Sequence, residues 1–149
     1  MTINWHIKHF GELTIHELYA LLQLRAKVFA VEQDCVYQDL DDKDQKAVHV
    51  MGHTEDDQLV AYSRLLPQGI SYDDMSIGRV VTDTSFRSYG IGKELMDVSI
   101  NACYKCFGQG PIRISAQLYL KTFYEGYSFV AVTEPYIEDH ILHIEMLKN

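Results

Sequence analysis

Residues 3–9 alternate loosely between apolar and polar positions and predict a first strand. The run "THELYALLQLRAKVFAVEQ" changes period. Leu18, Leu21, Leu22, Arg25, Val28 and Phe29 recur at helical spacing, and Thr14 followed by Glu17 forms the capping-box signature that satisfies free N–H groups at a helix start. One face of this helix should bury, with Arg25 its conspicuous charged exception. "CVYQDLDDKDQKAVHV" is polar and turn-rich, either a long connection or a broken second helix. "AVHVMGH", "QLVAYSRLL" and "MSIGRVVT" then predict three strands, the first two joined closely by the acidic turn "EDDQ". "GIGKELMDVSINACYKCF" predicts a helix with Ile91, Leu95, Val98 and Ala102 on one face, ended by Gly108, Gly110 and Pro111. "IRISAQL" is a strand and "KTFYEGY" a short helix. "FVAVTEPY" and "ILHIEML" predict two last strands, the latter with Leu142, Ile144 and Met146 on one side.

Hairpins mixed with strand–helix–strand crossovers give an α/β (α+β) chain with a mixed sheet and helices on both faces. No repeat, low-complexity tract or composition shift divides it, so residues 1–149 are expected to form one domain. A hydrophobic content of 47% supports a real core. No run approaches the length of a membrane helix, and "MTINWHIKHF" lacks the features of a secretory signal, so a cytoplasmic protein without a membrane partner is expected. A net charge of −8 argues against a nucleic-acid partner, whose phosphates need Lys and Arg. Cys35, Cys103 and Cys106 suit no disulfide framework. The Cys103–Cys106 pair lies in a helical pattern without two further ligands, so both read as helix-core thiols and no metal site is expected.

The strand–turn–helix unit "IGRVVTDTSFRSYGIGKELMD" carries the candidate chemistry. Unpaired N–H groups at a helix start attract an anion, glycines let the backbone approach it, and Arg87 and Lys93 add charge. Alone, this loop supports an anion site or merely a tight helix entry. No Lys-Ser/Thr follows the glycines, which speaks against a P-loop, and the full dinucleotide-binding glycine pattern is absent.

Arg87-Ser88-Tyr89-Gly90-Ile91-Gly92, after the strand residues Val80 and Val81, resembles the acyl-CoA loop of the GNAT acetyltransferase superfamily. "QLYLKTFYEGYSF" resembles a second family segment. Tyr124 and Glu125 fall in register, while Gln117, Leu120 and Ser128 replace the family's Asn, Ala and Gly. "LRAKVFAVEQDCVYQDLDDKD", His49 and "TEPYIEDHILHIEM" resemble the ElaA-type branch, with His140 where a glycine is expected.

The resemblance implies a mostly antiparallel twisted sheet splayed between its fourth and fifth strands. It also implies acetyl transfer from acetyl-CoA to a primary amine, a small molecule or a peptide. The alternative is a non-catalytic acyl-CoA-binding or regulatory module of the same fold, and a homodimer is compatible with the family. Carried over by position, the cosubstrate would meet Val80, Val81, Arg87, Ser88, Tyr89, Gly90, Ile91, Gly92, Lys93, Gln117 and Tyr124. Tyr124 would be the general acid and the Val81 N–H the oxyanion donor. Glu32, His49, Glu138 and His143 are candidate bases, and Gln33 a candidate substrate contact. The acidic run Asp41, Asp42 and Asp44 is either a solvated loop or an attractor of a cationic amine.

Overall fold

The computed structural model describes residues 1–149. Eight strands form one sheet: β1 (Asn4–His9), β2 (Val48–His53), β3 (Leu59–Leu66), β4 (Met75–Thr82), β5 (Ile112–Gln117), β6 (Val130–Ala131), β7 (Tyr136–Glu138) and β8 (Ile141–Lys148). Three α-helices accompany them: α1 (Ile15–Arg25), α2 (Ile91–Phe107) and α3 (Lys121–Glu125). The strands run in the order β1-β2-β3-β4-β5-β8-β6, with β7 also on β8. Every pairing is antiparallel except β4 with β5. No helix is long and apolar enough to cross a membrane.

The sheet is buried on both faces because alternate strand residues meet helices on opposite sides. Ala61 and Leu65 of β3 join Ile91, Leu95 and Met96 of α2 in the larger core. Tyr62 between them turns to the other face and packs with Leu21, Leu24 and Val28. Ser63 points toward α2 and shares a hydrogen bond with Ser99, 2.7 Å, so a polar pair inside that core is satisfied.

α1 starts as its sequence requires. The Glu17 N–H donates to the Thr14 hydroxyl, 3.0 Å, and the Thr14 N–H to the Glu17 carboxylate, 2.9 Å. Its end departs from a regular α-helix. Residues Ala26–Glu32 widen into a π-helical segment, closed by the Gln33 N–H donating to the Val28 carbonyl five residues back, 3.1 Å.

The chain after α3 differs from the simple pair of strands expected of it. "FVAVTEPY" breaks into β6 and β7, which pair with different stretches of β8. Leu142 faces solvent at 50% exposure, while Ile144 and Met146 are buried. Cys103 is buried, as expected, whereas Cys106 is exposed. The three-residue spacing puts them on neighbouring flanks of α2, and only one flank meets the sheet.

Two positions flagged as glycine replacements adopt glycine-like backbone. Ser128 has φ 71° and His140 φ 66°. His140 follows Asp139 (φ 50°) in the two-residue turn between β7 and β8, a hairpin whose favoured form takes positive φ at both positions. An L side chain in the left-handed region costs on the order of 1–2 kcal/mol, partly offset by the entropy a glycine loses on folding. Ser128→Gly and His140→Gly are therefore each expected to stabilise the fold by about 0.5–1 kcal/mol, read as a higher urea midpoint with an unchanged m-value.

Candidate active site

β4 and β5 pair at two positions alone, Met75 with Ile112 and Ser76 with Arg113. Beyond Ser76 the two strands diverge. The cause is visible in β4, where the register with β3 slips between Tyr62–Val81 and Arg64–Gly78, so that Arg79 and Val80 face Ser63. Arg79 sits at φ 50° in this bulge, which bends β4 away from β5.

Side chains from three separate stretches hold the bulge. The Arg79 Nε donates to Asp39 Oδ1 at 2.6 Å and its Nη2 to the Asp39 carbonyl at 3.0 Å. Asp39 also accepts from the Arg25 Nε, 2.8 Å. Arg25 Nη1 reaches Asp44 at 2.7 Å, and Arg64 bridges Asp44 (3.0 Å) and Asp41 (2.7 and 2.8 Å). The lone charged residue on the apolar face of α1 is thus fully buried and anchors the long polar connection. Asp41 and Asp44 are neither a solvated loop nor a free attractor of cations, because arginines already occupy them. Burial would raise the Asp44 carboxyl, but the hydrogen bonds and charges of Arg25 and Arg64 hold it below the ordinary range. The same contest brings Asp41 down to about 2, with Arg64 opposing burial.

The opening between β4 and β5 is a cleft of about 560 Å³, within the range of small-molecule sites. Val80, Val81, Arg87, Gly92, Gln33, Gln117 and Tyr124 all line it. At one end stands the start of α2. Gly90, at φ 73°, turns the chain into the helix without a side-chain cap, so the N–H groups of Ile91, Gly92 and Lys93 have neither intrahelical nor capping partners. A Cβ at Gly92 would meet no atom within 4 Å, so the space before these amides is open. Ser88 and Tyr89 lie exposed in the preceding 3-10 turn, Thr84–Tyr89.

Arg87 of this loop already has a partner. Its Nη1 and Nη2 donate to the two Glu32 oxygens at 2.8 and 2.6 Å, and Nη2 also to the Thr82 carbonyl at 3.1 Å. The Thr84 hydroxyl adds a further bond to Glu32. These contacts, Arg87 first, hold the Glu32 carboxyl below its usual range, which makes it a weak proton acceptor. Glu32 is the counter-ion of the loop arginine instead of a free base.

His49 does not reach the cleft. It is fully buried, with Nδ1 2.6 Å from the Tyr62 hydroxyl and Nε2 2.9 Å from the Asp44 carbonyl. Burial lowers its pKa. With both nitrogens engaged and no exposed atom, it cannot take a proton from a substrate; it ties β2 and β3 to the arginine–aspartate network.

The Val81 amide is also committed. The Asp83 N–H donates to the Val60 carbonyl, 2.8 Å, so the alternation of an antiparallel ladder makes Tyr62–Val81 a hydrogen-bonded pair and turns Thr82 outward. The backbone left off the ladder lies one step earlier, where two residues, Arg79 and Val80, oppose one.

Tyr124 of α3 is 6% exposed and packs edge-on against Phe123 and Phe129. Burial, with Tyr119 nearby, pushes its phenol well above the usual value, so it keeps its proton across the physiological range. Gln33 and Gln117 join through reciprocal amide hydrogen bonds of 3.2 Å, linking the end of α1 to β5. The sequence marked both residues separately; the long-range pairing had no local signal. The arginine–aspartate network and the bulge were also missed, although Arg25 in an apolar stripe was a signal that a buried partner existed.

A mostly antiparallel sheet splayed between its fourth and fifth strands, with an uncapped helix start at one end of the opening, is the GNAT arrangement. The family described as Acetyltransferase (GNAT) domain matches residues 17–149, and the chain belongs to that family. It is 40% identical over 149 residues to protein ElaA of Escherichia coli K12, covering 99% of this chain and 97% of that protein. The crystal structure of an acyl-CoA N-acyltransferase from Pseudomonas aeruginosa matches with a TM-score of 0.94 at 43% identity, covering 99% of this chain and 100% of that one. The crystal structure of E. coli ElaA matches with a TM-score of 0.93 at 39% identity, over the same shares.

Removing one partner of a buried charge cluster leaves the others uncompensated. Asp44→Asn should lower the unfolding free energy by on the order of 3 kcal/mol, measured by urea denaturation. Asp41 and Asp44 have depressed pKa values in the folded state, so their contribution is present above the unfolded carboxylate value. It is lost as pH falls from about 4 toward the folded values, about 2 for Asp41. A pH–stability curve should show wild-type weakening over that window and Asp44→Asn weakening less.

Proposed function

We propose that residues 1–149 form one acyltransferase domain that moves the acetyl group of acetyl-CoA to a primary amine. One observation carries this reading: the cleft joins an open set of helix N-terminal amides to a buried, protonated tyrosine along an unpaired strand edge. The amides of Ile91, Gly92 and Lys93 suit a pyrophosphate, and the outward Thr82 backbone suits an extended amide-bearing arm added alongside β4.

The neutral amine attacks the thioester carbonyl carbon, and negative charge develops on the oxygen. A backbone N–H from the Arg79–Val80 bulge is a better donor for it than Val81, whose amide serves the sheet. Collapse breaks the carbon–sulfur bond, and Tyr124 supplies a proton to the leaving thiolate. Burial raises the Tyr124 phenol, and the same dry surroundings raise a thiolate's basicity, so the transfer is closer to balanced than in water.

Acetyl-CoA at 100 times its Kd should stabilise the fold by about 2.7 kcal/mol, visible as a raised melting temperature that NAD does not reproduce. Thiol release with acetyl-CoA and a panel of primary amines tests turnover. Binding without release from any amine would instead support a non-catalytic acyl-CoA module. Tyr124→Phe should cut kcat roughly 10²-fold with little change in acetyl-CoA affinity; full activity would remove the acid assignment.

Glu32 and a bound pyrophosphate would compete for Arg87. Glu32→Gln should therefore tighten acetyl-CoA binding by roughly two- to fivefold at low salt, since an exposed ion pair of this kind is worth at most about 1 kcal/mol. Calorimetric titration gives the comparison, and weaker binding would contradict the competition.

A further inference from the structure

With Glu32 held by Arg87 and His49 sealed in the core, the acceptor amine still needs a base. We propose that His143 takes its proton and that Glu138 stabilises the imidazolium that forms. This rests on the acyl-transfer reading.

His143 and Glu138 both line the cleft, on β8 and β7 respectively. The His143 Nδ1 is 2.8 Å from the Ile141 carbonyl. A carbonyl can only accept, so Nδ1 carries hydrogen and the neutral ring keeps its lone pair on Nε2. Glu138 Oε2 lies 3.6 Å from Nε2, too far to fix the lone pair in a hydrogen bond and close enough to favour a positive charge there. The ring is held in place by a parallel stack on Tyr136, centroids 6.2 Å apart, with Gln117 opposite it on β5. Tyr136 in turn shares a 2.5 Å hydrogen bond with Ser115, whose hydroxyl is 3.5 Å from Glu138 Oε2. The side chain is 9% exposed, so its orientation is set before substrate arrives.

The surrounding charges leave Glu138 as the controlling group. On the same face of β5 and β8, Arg113 is neutralised by Glu145 (2.7 Å) and Asp74 (3.0 Å), and Tyr72 lies under the Arg113 guanidinium. Asp139, beside Glu138 in the turn, lines the cleft and adds negative charge, whereas Lys43 lines it with its ammonium on Ser71, 2.8 Å. Arg64, Arg79 and Asp41 of the cleft wall are paired with one another and with Asp39 and Asp44.

The proton balance is complete. An ammonium R–NH3+ gives one proton to Nε2 and becomes R–NH2. Its nitrogen bonds to the acetyl carbon, the carbon–sulfur bond breaks, and the nitrogen sheds a second proton. Tyr124 protonates the thiolate and recovers that second proton, while the imidazolium returns the first to solvent. The acceptor is therefore a basic amine that arrives charged.

The test uses His143→Asn, whose amide N–H can still donate to Ile141, with acetyl-CoA and two acceptors. One is a primary alkylamine that the wild type acetylates; the other is its 2,2-difluoro analogue, with both assayed at about pH 8.5, where the fluorinated amine is largely neutral and the ordinary one still charged. The expected result is a fall in kcat/KM of roughly 10²-fold or more for the ordinary amine, with a much smaller loss for the fluorinated one. The acetyl-CoA-induced rise in melting temperature should be unchanged. The rise of kcat/KM with pH through the histidine ionisation should disappear. Glu138→Gln should lower kcat/KM for the ordinary amine more than for the fluorinated one, because the imidazolium that forms then lacks its facing carboxylate. An equal loss on both amines, or no loss on either, would overturn the assignment of His143. An equal effect of Glu138→Gln on both amines would remove Glu138 from the pair. A wild type that releases thiol with no amine overturns the acyl-transfer reading itself, whereas an active wild type with an unaffected His143→Asn overturns the base assignment alone.

Discussion

Three arginines and three aspartates, drawn from α1, β3, β4 and the connection before β2, set the geometry on which the cleft depends. Arg25, Arg64 and Arg79 carry equal and opposite charge to Asp39, Asp41 and Asp44, and every one of them has a partner within 3.0 Å. Buried ion pairs give little net stability compared with apolar packing, but breaking one is costly. Their value here is positional. Arg79 is strained at φ 50°, and its grip on Asp39 holds the bulge that turns β4 from β5. Without that turn the two strands would continue as an ordinary parallel pair.

The same network explains why a long polar segment is ordered at all. Residues between the π-helical segment and β2 have almost no regular secondary structure, only a short 3-10 turn at Asp44–Lys46. Asp39, Asp41 and Asp44 fasten it at three points to the helix and strands beneath, and His49 accepts its place through the Asp44 carbonyl and Tyr62. A segment that contributes little apolar surface is thus fixed by directional bonds, and Tyr37, Asp41 and Lys43 become part of the cleft wall.

Local chemistry made much of the fold legible. The Thr14–Glu17 cap, the apolar periods of α1 and α2, and the order of strands through β5 follow from short-range pattern, as does the Arg-x-x-Gly-x-Gly loop. Ser128 and His140 stood out as replacements for glycine, and both do take left-handed backbone. What pattern could not give are meetings between distant residues. Glu32 and Arg87 are 55 positions apart, Gln33 and Gln117 are 84 apart, and neither pairing leaves a periodic trace. Leu142 shows the converse failure: its alternation with Ile144 and Met146 predicts burial, yet at the start of β8 it lies in the outlying hairpin with β7, opposite Ile137, which is itself exposed. The π-helical close of α1 likewise lies in a continuous helical pattern and is revealed by its hydrogen bonds alone.

The divergence of β4 from β5 also bears on solubility. Strand edges with unpaired backbone invite other chains to add on, and sheet proteins ordinarily blunt theirs with charge, proline or a covering element. Here two such edges are opened in the middle of a sheet, but each faces the other across the cleft. The Gln33–Gln117 amide pair links the close of the π-helical segment to β5, and α2 begins at one end of the opening. The gap presents inward backbone without adding to the outer rim of the sheet, so the protein keeps reactive main chain available to a slender molecule while denying a neighbouring protein a template for aggregation.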